Sequence, residues 1–476
     1  MRTLWKSFTY FSHQEEGIEW MMDKEMHGTC LLNATVYGGF QCDDMGLGKT
    51  IQVVGTIVNH FKPTTLIVAP LAMVETWISI CIRAGMRVYT FDSKWKCVTT
   101  GPFPFYFRKN RPSVYVTNYE KIIHNPSSFT AFDRIVLDEA HKIRNPFGSF
   151  ARSIQRIKAP IRWAVTGTPL VNSYRDVVSL LAFVGMPLPR TKTGKLFYGW
   201  SPSYLEVVLP QLLIHRSIES LRGIVADVPP VPKIIEEHLS FLTQKEEEFY
   251  TGVQCVDGYA DDGYAMDIMT SIESFKLLLR LRQLSVHPQV YINAKRREDS
   301  TYDREDWTGS STKFERIKEI IREDADKIHN YIIFCQFMEE MILLSKELSQ
   351  YNVLQYNGSL TQKQRTEVLR KSKESTETTV LLIQLQAGGV GLNLQEYDRI
   401  IFVSPWWTSA LMNQAIARAV RMGQKEVVRV YHLVLSQEWE NKQITNIDDR
   451  IQQKADEKQR MLEKIFQMCA LIQFDQ

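Results

Sequence analysis

Short apolar runs alternate along the first part of the chain with stretches whose apolar residues recur every three or four positions. Leu66-Ile-Val-Ala69, Val114-Tyr-Val-Thr117, the run from Arg134 to Leu137 and Trp163-Ala-Val165 are too short for helices. Apart from Arg134 and Thr117 at their ends they are apolar, which predicts strands buried on both faces of a parallel sheet, the first of them stopped by Pro70. Ile51, Val54, Ile57 and Val58 follow a helical period, as do Phe11, His13, Gln14 and Gly17 to Met21. Alternation of this kind predicts an α/β fold, a doubly wound parallel sheet with its ligand at the strand tips.

From Gly185 the pattern breaks, with prolines at 187, 189, 202, 210, 229, 230 and 232. Leu239 to Tyr250 and Ile272 to Leu284 read as helices, the second ending at or before His287 because Pro288 follows. Lys295 to Ser311 reads as a polar, mobile loop. A second α/β alternation runs through Tyr331–Phe334, Val353–Tyr356, Val380–Ile383, Ile400–Val403 and Val427–Leu433. The tail, Gln437–Gln476, is charged and helical in pattern and is expected to brace the two halves. The expected domains are therefore 1–185, a first α/β lobe; 186–310, a helical insertion and linker; 311–436, a second α/β lobe; and 437–476, the brace helix.

Composition narrows the picture only slightly. Hydrophobic residues at 44% and charged residues at 23% are ordinary for a globular chain of 476 residues, a length that allows about three domains. No stretch reaches eighteen apolar residues, and MRTLWKSFTYFSHQEEG lacks a signal peptide's apolar run. The expectation is an intracellular chain, in cytoplasm or nucleus. The 57 basic and 54 acidic residues leave a net charge of +3, so any nucleic-acid binding must use a local groove rather than a polycationic tail. Seven scattered cysteines, with no C-x-x-C pair, read as small buried hydrophobes.

Three motifs carry the chemistry. Asp43 to Thr50, DDMGLGKT, opens the helical stretch at Ile51. A glycine-rich turn entering a helix aims backbone N–H groups and the positive helix end at one spot; Lys49 adds a full charge, and Thr50 offers a hydroxyl to magnesium. The strict pattern has glycine where Asp43 stands. Downstream, the strand from Arg134 delivers Asp138 and Glu139 at its tip, placed to hold magnesium and to orient an attacking water. Thr166 and Thr168 lie in the small-residue turn after the strand at Trp163, where they are expected to couple nucleotide state to the neighbouring lobe. In the second half, Arg418 and Arg421 are three apart, hence expected on one helical face, and follow the glycine-rich turn Ala387–Leu394. They are candidates for an arginine finger supplied to the first lobe. Gln14 carries both a donor and an acceptor, the pair an adenine edge requires.

In order along the chain, HQEEGIEWM, DDMGLGKT, LIVAPL, VTNYE, LDEAHKIRN, TGTPLVNSYRDVVSLLAFV, LRQLSVHP, YNGSLTQKQR, AGGVGLNL and QAIARAVRMGQ resemble the motif set of the Swi/Snf-type DNA-dependent ATPases of helicase superfamily two. The resemblance implies two RecA-like lobes with helical insertions between them, and ATP hydrolysis with Mg2+ coupled to movement along double-stranded DNA. By resemblance, nucleotide contacts come from Gln14, Asp44, Met45, Gly46, Leu47, Gly48, Lys49 and Thr50, and from Gly391 and Asn393. Thr50 and Asp138 match the metal-holding positions; Lys49, Asp138, Glu139, Arg418 and Arg421 match the catalytic ones. Asn118, Asn393 and Trp407 match positions that track DNA. The family commonly has a non-glycine residue at the place of Asp43.

The chain departs from the family at Gln384, usually serine or threonine, at Gln386, usually basic, and at Ser404-Pro-Trp-Trp-Thr-Ser409, usually an acidic-proline-x-Trp-Asn-Pro run. Loss of a basic group at Gln386 is expected to remove one phosphate contact. The chain resembles the minimal viral and bacterial members, so a monomer is expected, virion-associated if the source is viral. Two other readings fit the motifs less well. One is a DExH-type enzyme unwinding RNA or DNA, against which VRMGQ, VGMP and LRQLSVHP resemble the DNA-translocase branch. The other is a nucleic-acid-binding module clamped by nucleotide without turnover, against which the catalytic motifs are complete.

Overall fold

The structure is a computed structural model that describes residues 1–31, 34–99, 111–169, 175–187, 202–225, 228–256, 271–324, 327–388, 392–436 and 446–473. Gly391, Pro189, Leu170–Tyr174 of the TGTPLVNSY motif and the 437–445 part of the tail lie outside the described residues. The chain divides into two units, Met1–Pro229 with Arg421–Gly423 and Lys458–Gln476, and Pro230–Val420 with Gln424–Glu457.

The first unit is built on a nine-stranded sheet: β1 Thr29–Leu31, β2 Ala34–Gln41, β3 Thr64–Ala69, β4 Arg87–Phe91, β5 Trp95–Cys97, β6 Ser113–Asn118, β7 Arg134–Asp138, β8 Ile161–Val165 and β9 Leu213–Ile214. The order is β1-β2-β8-β7-β3-β6-β4-β5, with β9 also paired to β2. Only the β1–β2 and β4–β5 pairs are antiparallel. The four predicted strands are β3, β6, β7 and β8. Alternate residues serve opposite faces: Leu66, Val68, Ile135 and Leu137 join one apolar core, while Ile67, Ala69, Val136 and Trp163 join the other. Double-sided burial is why these strands read as continuous apolar runs. Helices α1 Ser12–Met26, α2 Lys49–Asn59 and α3 Val74–Arg83 contribute Ile18, Val54 and Trp77 to the second core.

The second unit has a six-stranded, wholly parallel sheet: β10 Lys233–Leu239, β11 Tyr331–Cys335, β12 Asn352–Tyr356, β13 Thr379–Gln384, β14 Arg399–Phe402 and β15 Arg429–Leu435, in the order β10-β15-β14-β11-β13-β12. Ile332, Phe334 and Leu381 face one core; Ile333, Cys335 and Leu382 face the other. Each unit is thus built on a doubly wound, largely parallel sheet.

Several expectations are corrected. The region between the lobes is not purely helical, because β9 extends the first sheet and β10 forms an edge of the second. Leu239 ends β10, and the helix expected there starts only at Gln244. Lys295–Glu298 complete a helix that starts at Pro288, and the polar segment beyond it is tied down: Trp307 N donates to Gln289 Oε1 at 2.6 Å, and Arg296 pairs with Asp306 at 2.6 Å. Cys42, Cys81 and Cys335 are buried, but Cys30 and Cys97 are exposed on the antiparallel strands β1 and β5.

Glu340, in the helix Met338–Glu347, is fully buried and accepts from Gln336 N at 2.7 Å and Phe337 N at 2.9 Å. Burial nevertheless pushes its carboxyl up to about 7. A folded value above the unfolded one makes its contribution fully present below the unfolded range near 4.5 and lost as pH rises through about 7. The stability of Glu340→Gln relative to the parent is therefore expected to improve by about 3 kcal/mol between pH 4.5 and pH 8. Chemical denaturation at the two pH values checks this; a constant difference contradicts it.

Candidate active site

Strands β2, β8 and β7 are adjacent and parallel, and Gln41 and Asp138 both pair with Val165. Their carboxyl ends are therefore level, and the segments leaving them share one rim: Cys42–Gly48 after β2, Thr166–Thr168 after β8, and Glu139 after β7. At Gly38 in β2, φ is +116°, and an added Cβ would lie 2.0 Å from the Arg162 carbonyl, so only glycine permits this approach of β2 to β8.

The loop from Asp43 delivers the N-terminus of α2. Gly48 is the N-cap, left-handed at φ +82°; no side chain caps the helix, and its first turn has no acidic residue. The leading N–H groups and the positive helix end are thereby left for an anion. Lys49 Nζ donates to the Asp43 carbonyl at 2.6 Å and the Asp44 carbonyl at 3.1 Å. A Cβ on Gly167 would come within 3.6 Å of the same Nζ, which places the ammonium between the two loops. This donor set fits the phosphates of a nucleotide. Gln14 is buried against the loop, its Nε2 donating to the Leu47 carbonyl at 3.3 Å and its Oε1 accepting from Phe11 N at 3.3 Å. Its neighbour His13 meets the Leu47 carbonyl through Nε2 at 2.9 Å.

Asp138 is buried. Its Oδ2 accepts from Trp77 Nε1 at 2.8 Å, its Oδ1 from Glu139 N at 3.1 Å, and its carbonyl from Tyr119 OH at 2.7 Å. Burial, with the Glu139 charge beside it, pushes the Asp138 carboxyl up to about 6. Glu139 is left-handed at φ 51°, a conformation that costs a non-glycine residue roughly 1 kcal/mol or more. Its Oε2 lies 3.4 Å from His141 Nδ1, which meets Thr166 Oγ1 at 3.1 Å; Thr166 Oγ1 accepts from Thr168 N at 3.2 Å. Burial pushes His141 down to about 4, so the imidazole is neutral at pH 7 and links the strand tips by hydrogen bonding rather than charge. Among the described residues no three His, Cys, Asp or Glu side chains cluster as metal ligands. Asp138 and the half-buried Thr50 would hold magnesium only with phosphate oxygens and water completing its shell.

Arg418 and Arg421 do not share a helical face: the helix Ser409–Ile416 ends before both, Arg418 lying in the following turn with its carbonyl accepting from Leu394 N at 3.0 Å. Asn118 is a buried helix cap whose Oδ1 accepts from Lys121 N at 2.9 Å. Asn393 is exposed. Trp407 is half-buried against the apolar cluster that includes Phe249 and Leu281, with the Arg282 guanidinium 5.8 Å from its ring. Gln384 Oε1 accepts from Gly358 N at 3.2 Å, and Ser404 Oγ from the buried Lys313 ammonium at 2.5 Å.

Sequence reading missed Trp77 and Arg216. A tryptophan on an apolar helix face looks like ordinary core, and nothing local marks its N–H as the partner of a carboxylate 61 residues away. Trp77→Phe keeps an aromatic ring and removes the donor. The magnesium concentration for half-maximal turnover is expected to rise about tenfold, near 1.5 kcal/mol for one lost bond to a charged group. An unchanged magnesium dependence contradicts that role.

Residues 13–290 match the model of the SNF2-related domain, and residues 312–423 match the helicase conserved C-terminal domain. The chain belongs to the SNF2-related family. An ATP-dependent helicase of Mycoplasma genitalium is 27% identical over 478 residues, covering 95% of this chain and 42% of that protein. A probable global transactivator of Orgyia pseudotsugata multicapsid polyhedrosis virus is 27% identical over 480 residues, covering 96% and 92%. The ATPase of a chromatin-remodelling complex of Saccharomyces cerevisiae is 25% identical over 491 residues, covering 97% and 41%. This SNF2-related chain therefore spans less than half the length of the Mycoplasma and yeast proteins. Among solved structures, the Sulfolobus solfataricus SWI2/SNF2 ATPase core with double-stranded DNA matches 90% of this chain and 88% of its own, at 22% identity and a TM-score of 0.40. No helix among the described residues is long and apolar enough to cross a membrane.

Proposed function

We propose that this SNF2-related chain is a nucleic-acid-dependent ATPase that couples hydrolysis to translocation on double-stranded DNA. The observation that carries it is the shared rim of β2, β8 and β7, where an uncapped helix N-terminus, Lys49, Asp138 and Glu139 converge. When bound, ATP with magnesium supplies the phosphoryl bond that is broken. Lys49 and the α2 N-terminus bind the phosphates, Thr50 and Asp138 hold the cation, and Glu139 orients the water and takes its proton. Gln14 reads adenine. Arg418 and Arg421 supply positive charge from outside the phosphate loop as charge develops on the transferred group. Asn393, Gly391, Asn118 and Trp407 remain candidates for nucleotide and DNA contact on the strength of the motifs; the capping role of Asn118 leaves its amide nitrogen for such a contact.

The names carried by relatives, an ATP-dependent helicase and a chromatin-remodelling ATPase, support nucleic acid as the track. ATP-dependent displacement of a triplex-forming strand, measured beside unwinding of a forked duplex, tests the reading. Triplex displacement with little fork unwinding is expected. Efficient unwinding without triplex displacement overturns translocation on duplex in favour of strand separation.

A further inference from the structure

We infer that Arg216 is a positioning residue for the nucleotide, acting through Asp43. The inference rests on the ATP reading above. A strict phosphate loop has glycine where Asp43 stands, and here that side chain is fully buried. Its carboxylate is surrounded by donors. Oδ1 accepts from Arg216 Nε at 3.1 Å and Arg216 N at 3.0 Å; Oδ2 accepts from Arg216 Nη2 at 2.6 Å, Gln41 Nε2 at 2.8 Å and Gln52 Nε2 at 2.8 Å. Burial alone would raise this carboxyl, but the guanidinium and these hydrogen bonds outweigh it and hold the group below its ordinary value.

Arg216 arrives 173 residues later in the chain, just after β9 pairs with β2, and it bonds more than Asp43. Its carbonyl accepts from Asp44 N at 2.9 Å, and Asp44 Oδ2 accepts from Ile218 N at 2.9 Å. Its Nη1 donates to the His13 carbonyl, and its Nη2 to Gln52 Oε1 at 2.9 Å. The α1 backbone closes over the pair at Gly17, where an added Cβ would lie 2.6 Å from Arg216 Nη2 and 1.9 Å from Gln52 Oε1.

One guanidinium therefore fixes three parts of the nucleotide site. It holds the start of the phosphate loop through Asp43 and Asp44, the first turn of α2 through Gln52, and through His13 the turn of α1 that presents Gln14. The adenine-reading side chain and the phosphate cradle are held in register by the Asp43–Arg216 pair. A planar fork is required for this, since a lysine ammonium cannot meet both carboxylate oxygens, the His13 carbonyl and Gln52 together.

The test is titration of a fluorescent ATP analogue into wild type, D43N, R216K and the double variant D43N/R216M, with thermal melting of each. D43N and R216K are expected to weaken nucleotide binding about tenfold, near 1.4 kcal/mol. D43N/R216M should be no more than about threefold worse than either, because the pair acts as one unit. In steady-state assays KM should rise by a larger factor than kcat falls. A pair that only stabilises the fold would lower Tm and leave nucleotide affinity within twofold, and that result overturns the inference. If a single variant fails to fold, the uncharged double variant decides: wild-type affinity there overturns the inference, and so does loss of the fold in all three. Wild-type protein that binds no adenine nucleotide contradicts the ATP reading itself, whereas tight wild-type binding with unaltered variants contradicts only the role of Arg216.

Discussion

Lys49→Ala is expected to abolish ATP turnover, lowering kcat/KM at least a thousandfold, about 4 kcal/mol of lost transition-state stabilisation. Lys49 is the cation seated among the phosphate loop's own carbonyls, 2.6 Å from that of Asp43 and 3.1 Å from that of Asp44. Alanine leaves the helix N-terminus intact but removes the full charge that, on the proposed mechanism, follows the transferred phosphoryl group, an electrostatic contribution that is large in a site shielded from water. The fold should survive, since the side chain is only half-buried and its ammonium bonds to two loop carbonyls rather than to a buried carboxylate. Circular dichroism and melting should match wild type, and DNA affinity should change little. A Lys49→Ala protein that hydrolyses ATP within tenfold of wild type would remove this loop from the mechanism.

Glu139→Gln is expected to lower turnover at least a hundredfold while ATP binds as tightly as to wild type. The substitution preserves volume and leaves Asp138 with its bonds from Trp77 and the residue 139 amide, so the proposed metal ligand stays in place. On the proposed mechanism it removes the carboxylate charge that orients the water and accepts its proton, a contribution typically on the order of a hundredfold to ten-thousandfold. The outcome is a protein that retains ATP, seen as nucleotide that remains with the protein through rapid desalting. Turnover near the wild-type rate would assign the water-activating role to another group. His141, 3.4 Å from Glu139, is neutral at pH 7 and does not offset the lost charge.

The sheets were legible because their central strands are buried on both sides. β3, β7, β11 and β13 carry five consecutive buried residues each, and such runs have few other readings. β10, KIIEEHL, was read past because it is an edge strand whose residues are exposed or half-exposed, leaving no apolar run to see. β9 is two residues long, and its place beside β2 is set by long-range pairing rather than by its own composition. The rim shared by Lys49, Asp138 and Glu139 was legible because each lies within one short loop or strand tip whose motif spacing is fixed. Their partners were not. The carboxylate of Asp43 demands a cation, but the 173 residues separating it from Arg216 carry no local signal of the pairing. Helical spacing also misplaced Arg418 and Arg421, because the helix ends at Ile416 and the three-residue interval continues into a turn.

Coupling of hydrolysis to duplex DNA is the central claim, and one assay tests it most directly. ATP turnover is measured at fixed salt with no nucleic acid, with double-stranded DNA, with single-stranded DNA and with RNA, with Lys49→Ala as the background control. The account predicts a low basal rate raised at least tenfold by duplex DNA, with single-stranded DNA and RNA well below it and the Lys49→Ala protein silent throughout. A rate stimulated by RNA but not by duplex DNA, or one indifferent to nucleic acid, would contradict it.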